Sequence, residues 1–228
     1  MTLYLSLLLI SVIIPIALSF DKKVGFYRYW KTLFPSIILV GSIYIIADFF
    51  FVKAGIWGFN PIYHSKIVLL GLPLEEWLFF VLIPYACVFI HYVFISYFPE
   101  LILSNNFVRI FSAILIVIIL TITIINYNKT YTLFNFSLLI ISILIALFDR
   151  HRLLNRYYIS FLIMLIPFFI VNSILTGTFI SGEVVWYKNS EILGIRLLTV
   201  PVEDIGYAFS LILLNLQIMN WFQNVNKS

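Results

Sequence analysis

Runs of about twenty apolar residues constrain this chain more than any other feature. They extend over roughly 3–20, 33–52, 75–97, 107–126, 131–148, 157–176 and 202–222, each ended by charged, proline-containing or glycine-containing stretches. A bilayer core offers no hydrogen-bond partner to a bare peptide group, so a chain crosses it as helices or as a closed barrel, and runs of this length are helices. A composition of 63% hydrophobic and 11% charged residues leaves too little polar surface for a globule in water. The expectation is an all-α, polytopic membrane protein with about seven transmembrane helices. The first run lacks a basic start and a small-residue cleavage site, and is read as a span rather than a removable signal.

Charge speaks to orientation. The loops at 21–31, 98–109 and 149–156 plus the tail carry nine Lys and Arg residues, and the opposite loops carry five. The positive-inside rule then expects a multi-pass protein of the cell (inner) membrane with its N-terminus outside and its C-terminus cytoplasmic. The net charge of +4 forms no basic stripe with interleaved aromatics, so nucleic acid is not an expected partner. Cys87, the single cysteine, lies inside an apolar run and reads as a small core residue, with no disulfide or CxxC motif available. His64, His91 and His151 show no ligand spacing, so no metal is expected.

The chain also repeats itself. Placing residue n over n+128 matches Asp21 with Asp149, Arg28 with Arg156, Tyr29 with Tyr157, Ile67 with Ile195, Leu69-Leu70 with Leu197-Leu198, Pro73 with Pro201 and Glu75 with Glu203, without a gap. Shared apolar positions follow from hydropathy alone, whereas an Arg, an Asp and a Pro-x-Glu at one offset do not. The expected plan is a first three-helix repeat over 1–100, a linker transmembrane helix in 101–127 and a second repeat over 128–228. Three helices reverse the chain's side and the linker restores it, so the repeats lie parallel, related by an axis along the membrane normal.

Both repeats place acids at the head of their third helix, Pro73-Leu74-Glu75-Glu76 and Pro201-Val202-Glu203-Asp204. Proline preorganises helix entry and acids favour the helix N-terminus, so one copy alone would read as a cap. Four carboxyls at membrane depth cost several kcal/mol unless they serve a purpose. Neighbours on a helix point about 100° apart, so at most one of each pair aims squarely at a shared site. In an apolar cavity, a neutral acid beside an ionised one is the arrangement for general acid and general base work, and surrounding aromatic faces steady a cation. The matching substrate is apolar and dissolved in the bilayer.

These residues, with Trp57-Gly58-Phe59-Asn60-Pro61 and with Ile205-Gly206-Tyr207 and Leu213-Leu214-Asn215 after the second acid pair, resemble the integral-membrane lycopene β-cyclases of the heterodimeric or fused type. The resemblance implies a carotenoid enzyme, an intramolecular lyase or isomerase that turns lycopene end groups into β-rings to give γ-carotene and β-carotene without a cofactor. An acid protonates the terminal alkene, the cation closes a six-membered ring, and a base removes a proton. It further implies Glu75, Glu76, Glu203 and Asp204 as catalytic candidates, with the roles of acid and base unassigned, and Trp57, Trp77, Phe80 and Tyr207 as substrate-binding candidates. The expected partners are a lipid-soluble carotenoid and membrane lipids, and the oligomeric state is left open. The sequence contains no GxGxxG dinucleotide fingerprint.

Other residues keep two readings. Asp48 either lines the cavity or sits at the interface beside Lys53 or water, and its repeat partner is Thr176. Trp57 is an interfacial anchor or a cavity wall, with anchoring the first expectation. Arg28 and Arg156 are expected to anchor helices at headgroups, and Asn215 to bridge two helices. Rival functions are a membrane transporter or carotenoid-binding module built on the repeats, and a CAAX-type intramembrane protease, whose EExxxR pattern fails here at Phe80. A retinal protein would need a Lys in the last helix, and 202–222 has none.

Overall fold

The computed structural model describes residues 1–149 and 152–225; His151, and with it Arg150 and Lys227 of the charge count, lies outside the described residues. Seven α-helices follow one another: α1 (Leu3–Leu18), α2 (Trp30–Lys53), α3 (Leu74–Tyr97), α4 (Asn105–Ile125), α5 (Thr130–Leu147), α6 (Leu154–Leu175) and α7 (Val202–Val225). Among the described residues, six helices are long and apolar enough to cross a membrane, while α1, with 16 residues, is shorter. The helix bounds fall within a few residues of the apolar runs, as expected of an all-α membrane protein.

An offset of 128 maps α1, α2 and α3 onto α5, α6 and α7, and α4 stands between the triplets. The loops carry the same correspondence. After α2 runs β1 (Trp57–Phe59), then a hairpin of β2 (Val68–Leu69) and β3 (Leu72–Pro73); after α6 runs β4 (Val185–Tyr187), then β5 (Arg196–Leu197) and β6 (Val200–Pro201). Strands of two or three residues show no readable alternation, so the sequence pattern gives no sign of them in the loops. The first hairpin turns on Leu70 and Gly71, both at positive φ, which is the two-residue turn that suits strand twist. The two prolines end β3 and β6, one residue ahead of the helices they were expected to start.

β1 pairs antiparallel with β4 in the register Trp57–Tyr187, Gly58–Trp186 and Phe59–Val185. Residue 58 therefore faces its own repeat mate, 186. The ribbon is therefore symmetric about this pair, with a local pseudo-two-fold axis exchanging residues 128 apart, and it joins the connections at the end of the bundle where α3 and α7 begin.

Polar side chains bridge helices in the apolar interior. Tyr44 Oη and Ser210 Oγ share a 2.7 Å hydrogen bond between α2 and α7, and Ser36 Oγ donates to Asn215 Oδ1 at 3.1 Å on the same pair. Tyr157 Oη donates to the Phe209 carbonyl at 2.7 Å, and His91 Nδ1 bonds Ser160 Oγ at 2.7 Å. Between helices in lipid such bonds supply what hydrophobic burial does not. Asn215 thus takes the bridging role expected of it.

Candidate active site

Glu75 and Glu76 occupy the first turn of α3, and Glu203 and Asp204 the first turn of α7. All four are buried. Adjacent helical positions diverge by about 100°, and here the two members of each pair go to different surroundings.

Glu75 Oε1 accepts hydrogen bonds from Thr2 Oγ1 and from the Ser65 backbone N–H, both at 2.7 Å, and its Oε2 accepts from Ser65 Oγ at 2.9 Å. Glu203 Oε1 accepts from Thr132 Oγ1 and from the Leu193 N–H, both at 2.6 Å. Ser65 and Leu193 are 128 apart, so each glutamate ties the connection ahead of its own hairpin to a helix start. Neither glutamate lines the apolar cavity beside Tyr4 and Tyr187.

Glu76 and Asp204 do line it. Glu76 Oε2 accepts from Tyr4 Oη at 2.6 Å. Asp204 accepts on both oxygens, from Tyr131 Oη and from Tyr187 Oη, each at 2.8 Å. The repeats are unequal here: the mate of Tyr187 is Phe59 and the mate of Tyr131 is Leu3, neither of which has a hydroxyl. Tyr187 stands in β4, where burial, reinforced by the Asp204 carboxyl, pushes its phenol well above the usual range and keeps it an O–H donor. Among the described residues no Lys or Arg forms an ion pair with Glu76 or Asp204.

The cavity has a volume of about 520 Å³ and a largely apolar wall from α1, α3, α6 and α7. It runs from the acids past Phe79, Ile83 and Ala86 on α3 to Phe161 on α6 and Ile212 on α7. Its rim includes Ile10 (66% exposed) and Ile14 (64%) on α1 and Ile170 (63%) on α6, side chains on the outer face of the bundle. Such a rim opens to lipid rather than to water. Beside the cavity, aromatic side chains from α2, α5 and α7 pack together: Tyr44 packs against Phe134 and Tyr207, and Phe51 against Tyr131 and Phe134.

The remaining expected residues divide likewise. Trp57 is 5% exposed and lines the cavity, with its indole N–H unpartnered, so it is a wall and not an interfacial anchor. Tyr207 also lines the cavity. Trp77 stays off its wall because its indole N–H turns back to the Leu69 carbonyl at 3.3 Å. Phe80 faces the core beside Tyr44, 1% exposed, and likewise contributes no wall. Asp48 is fully buried on the cavity side of α2, with no ion pair to Lys53. Tyr4, Tyr131 and Tyr187 are the site residues that sequence reasoning missed; their only signal is a phenol in an otherwise apolar helix or loop. Cys87 is not closed into the core but lines the cavity.

Because Cys87 is the single thiol, it reports on the cavity directly. An apolar maleimide is expected to label it in membranes, a long linear polyene is expected to slow that labelling, and Cys87→Ala is expected to abolish it, all read by mass spectrometry of the intact protein.

Residues 1–94 and 128–222 match a family model described as lycopene cyclase. No curated protein and no solved structure matches the chain.

Proposed function

We propose that this chain, which belongs to the lycopene cyclase family, converts lycopene end groups to β-rings, giving γ-carotene and then β-carotene by a proton-initiated, redox-neutral isomerisation. Membership carries the general class, a membrane enzyme that cyclises carotenoids. One observation supports the finer reading: two carboxyls with unlike hydrogen-bond sets, Glu76 and Asp204, stand at the polar end of one apolar cavity whose rim faces lipid.

The unlike sets suggest unlike roles. Asp204 takes a phenol hydrogen bond on each oxygen, the bonding of a carboxylate that acts as base. Glu76 has one oxygen engaged, leaving the other to carry a proton toward the cavity. Glu76 protonates the terminal C=C, and the resulting tertiary cation is attacked by the next C=C in reach, which forms the ring C–C bond and moves the charge to the adjacent carbon. Asp204 then removes a proton beside that carbon and a new C=C forms. One proton enters and one leaves, so the molecular formula is unchanged and no electrons are exchanged. Between turnovers Asp204 releases its proton to solvent and Glu76 takes one up from solvent, which restores both. Tyr207, Phe79 and Trp57 offer aromatic walls to the cation.

In this reading Glu75 and Glu203 hold the site's frame, and residues 1–100 and 128–228 act as two cyclase repeats around linker 101–127. With the N-terminus outside, the acids lie toward the outer leaflet. The test is expression in lycopene-accumulating bacteria with chromatography of the pigments. One-ring and two-ring products are expected; unchanged lycopene, with the protein present in the membrane, would instead favour a carotenoid-binding or transport role.

A further inference from the structure

Asp48 differs from the four helix-head acids in having no counterpart. It is 0% exposed in α2, its Oδ2 accepts a hydrogen bond from Tyr207 Oη at 3.1 Å, and its Oδ1 is buried without a partner. An acid at membrane depth with one hydrogen bond is costly to keep. Its repeat mate is Thr176 and that of Tyr207 is Phe79; both also lie on the cavity wall, and they cannot form a carboxyl–phenol bond. Thr176 Oγ1 instead donates to the Asn172 carbonyl at 2.8 Å, closing the end of its helix. One repeat therefore folds with a local hydroxyl where the other spends a buried acid, and acid and phenol occur together on one side of the axis only.

A phenol has one hydrogen to donate. Since Tyr207 gives it to Asp48, it donates neither to Glu76 nor to Asp204, and only its oxygen lone pairs and ring π-system are left for the cavity. We propose that Asp48 is a positioning residue of the cyclisation site, acting through Tyr207 by holding this phenol as an electron-rich wall beside the carbocation. The inference rests on the cyclase reading above.

The experiment measures kcat and KM for ring formation in membranes for the wild type, Tyr207→Phe, Asp48→Leu, which removes the acceptor, Asp48→Glu and the Tyr207→Phe/Asp48→Leu double variant, with membrane content and thermal midpoint as fold controls. Each removal is expected to lower kcat by about tenfold or more with KM within about threefold, since the contact matters in the charged state and little for binding. The double variant is expected to be no slower than the slower single, because both act through one bond. Asp48→Glu is expected to recover part of kcat. Tyr207→Phe, which keeps the ring, decides the matter if Asp48→Leu does not fold. Wild-type kcat in Tyr207→Phe, or single losses that multiply in the double variant, would overturn the inference. A wild type that forms no ring would overturn the cyclase reading itself.

Discussion

Asp204→Asn and Glu76→Gln are each expected to abolish ring formation while the protein still accumulates in the membrane at the wild-type level. A positioned general acid or base contributes typically a factor on the order of 10²–10⁴, which takes turnover below detection in a pigment assay. Both replacements preserve shape. The amide oxygen introduced by Asp204→Asn would still accept a phenol hydrogen bond from Tyr131 or Tyr187, and the one introduced by Glu76→Gln would accept from Tyr4, so the local frame persists while the exchangeable carboxyl proton is gone. The outcome to look for is lycopene left unconverted by a folded protein, measured by chromatography beside quantitative immunoblotting of the membrane fraction. Ring formation at a wild-type rate in either variant would remove that carboxyl from the chemistry.

Glu203→Ala has a different expected signature: loss of the folded protein. Its Oε1 satisfies the Leu193 N–H and the Thr132 hydroxyl, both at 2.6 Å, in a fully buried setting. Truncation leaves two donors without partners, at about 1–3 kcal/mol each, comparable with much of a small domain's net stability. The expected result is a lowered thermal midpoint in detergent and reduced membrane content, with activity per folded molecule falling far less than in Asp204→Asn. A Glu203→Ala protein of wild-type stability but no turnover would return Glu203 to the catalytic set.

The division between these two acids is legible in the sequence only in part. Hydropathy runs locate the helices because lipid demands about twenty apolar residues per crossing, and the offset of 128 locates the repeat because Arg, Asp and Pro-x-Glu do not recur by composition. The rule that neighbours diverge by about 100° says that one acid of each pair faces the site, without saying which. That choice depends on the connections: the N–H groups of Ser65 and Leu193 arrive beside Glu75 and Glu203 only through chain segments whose path has no periodic pattern to read. The tyrosines that engage Glu76 and Asp204 come from α1, α5 and β4, distant in sequence, and a lone phenol in an apolar run looks like any core aromatic. Trp77 and Phe80 are motif neighbours of the acids, yet helical geometry turns them toward Leu69 and Tyr44. Asp48 has no acidic repeat partner, which in sequence counts against a role in the site. In the structure that lack is its most informative property, because the same cavity wall holds Asp48 with Tyr207 and, at the equivalent positions, Thr176 with Phe79, so the acid and the phenol meet in one copy only.

Cyclisation begun by a protein-held proton leaves a mark in the product. Glu76 exchanges its proton with solvent between turnovers, so membranes in D2O supplied with lycopene should yield rings that each carry one deuterium at the protonated carbon, without added reductant or oxidant, as read by mass spectrometry and NMR of the purified carotenoid. Rings formed in D2O with no deuterium at that carbon would contradict a proton-initiated mechanism.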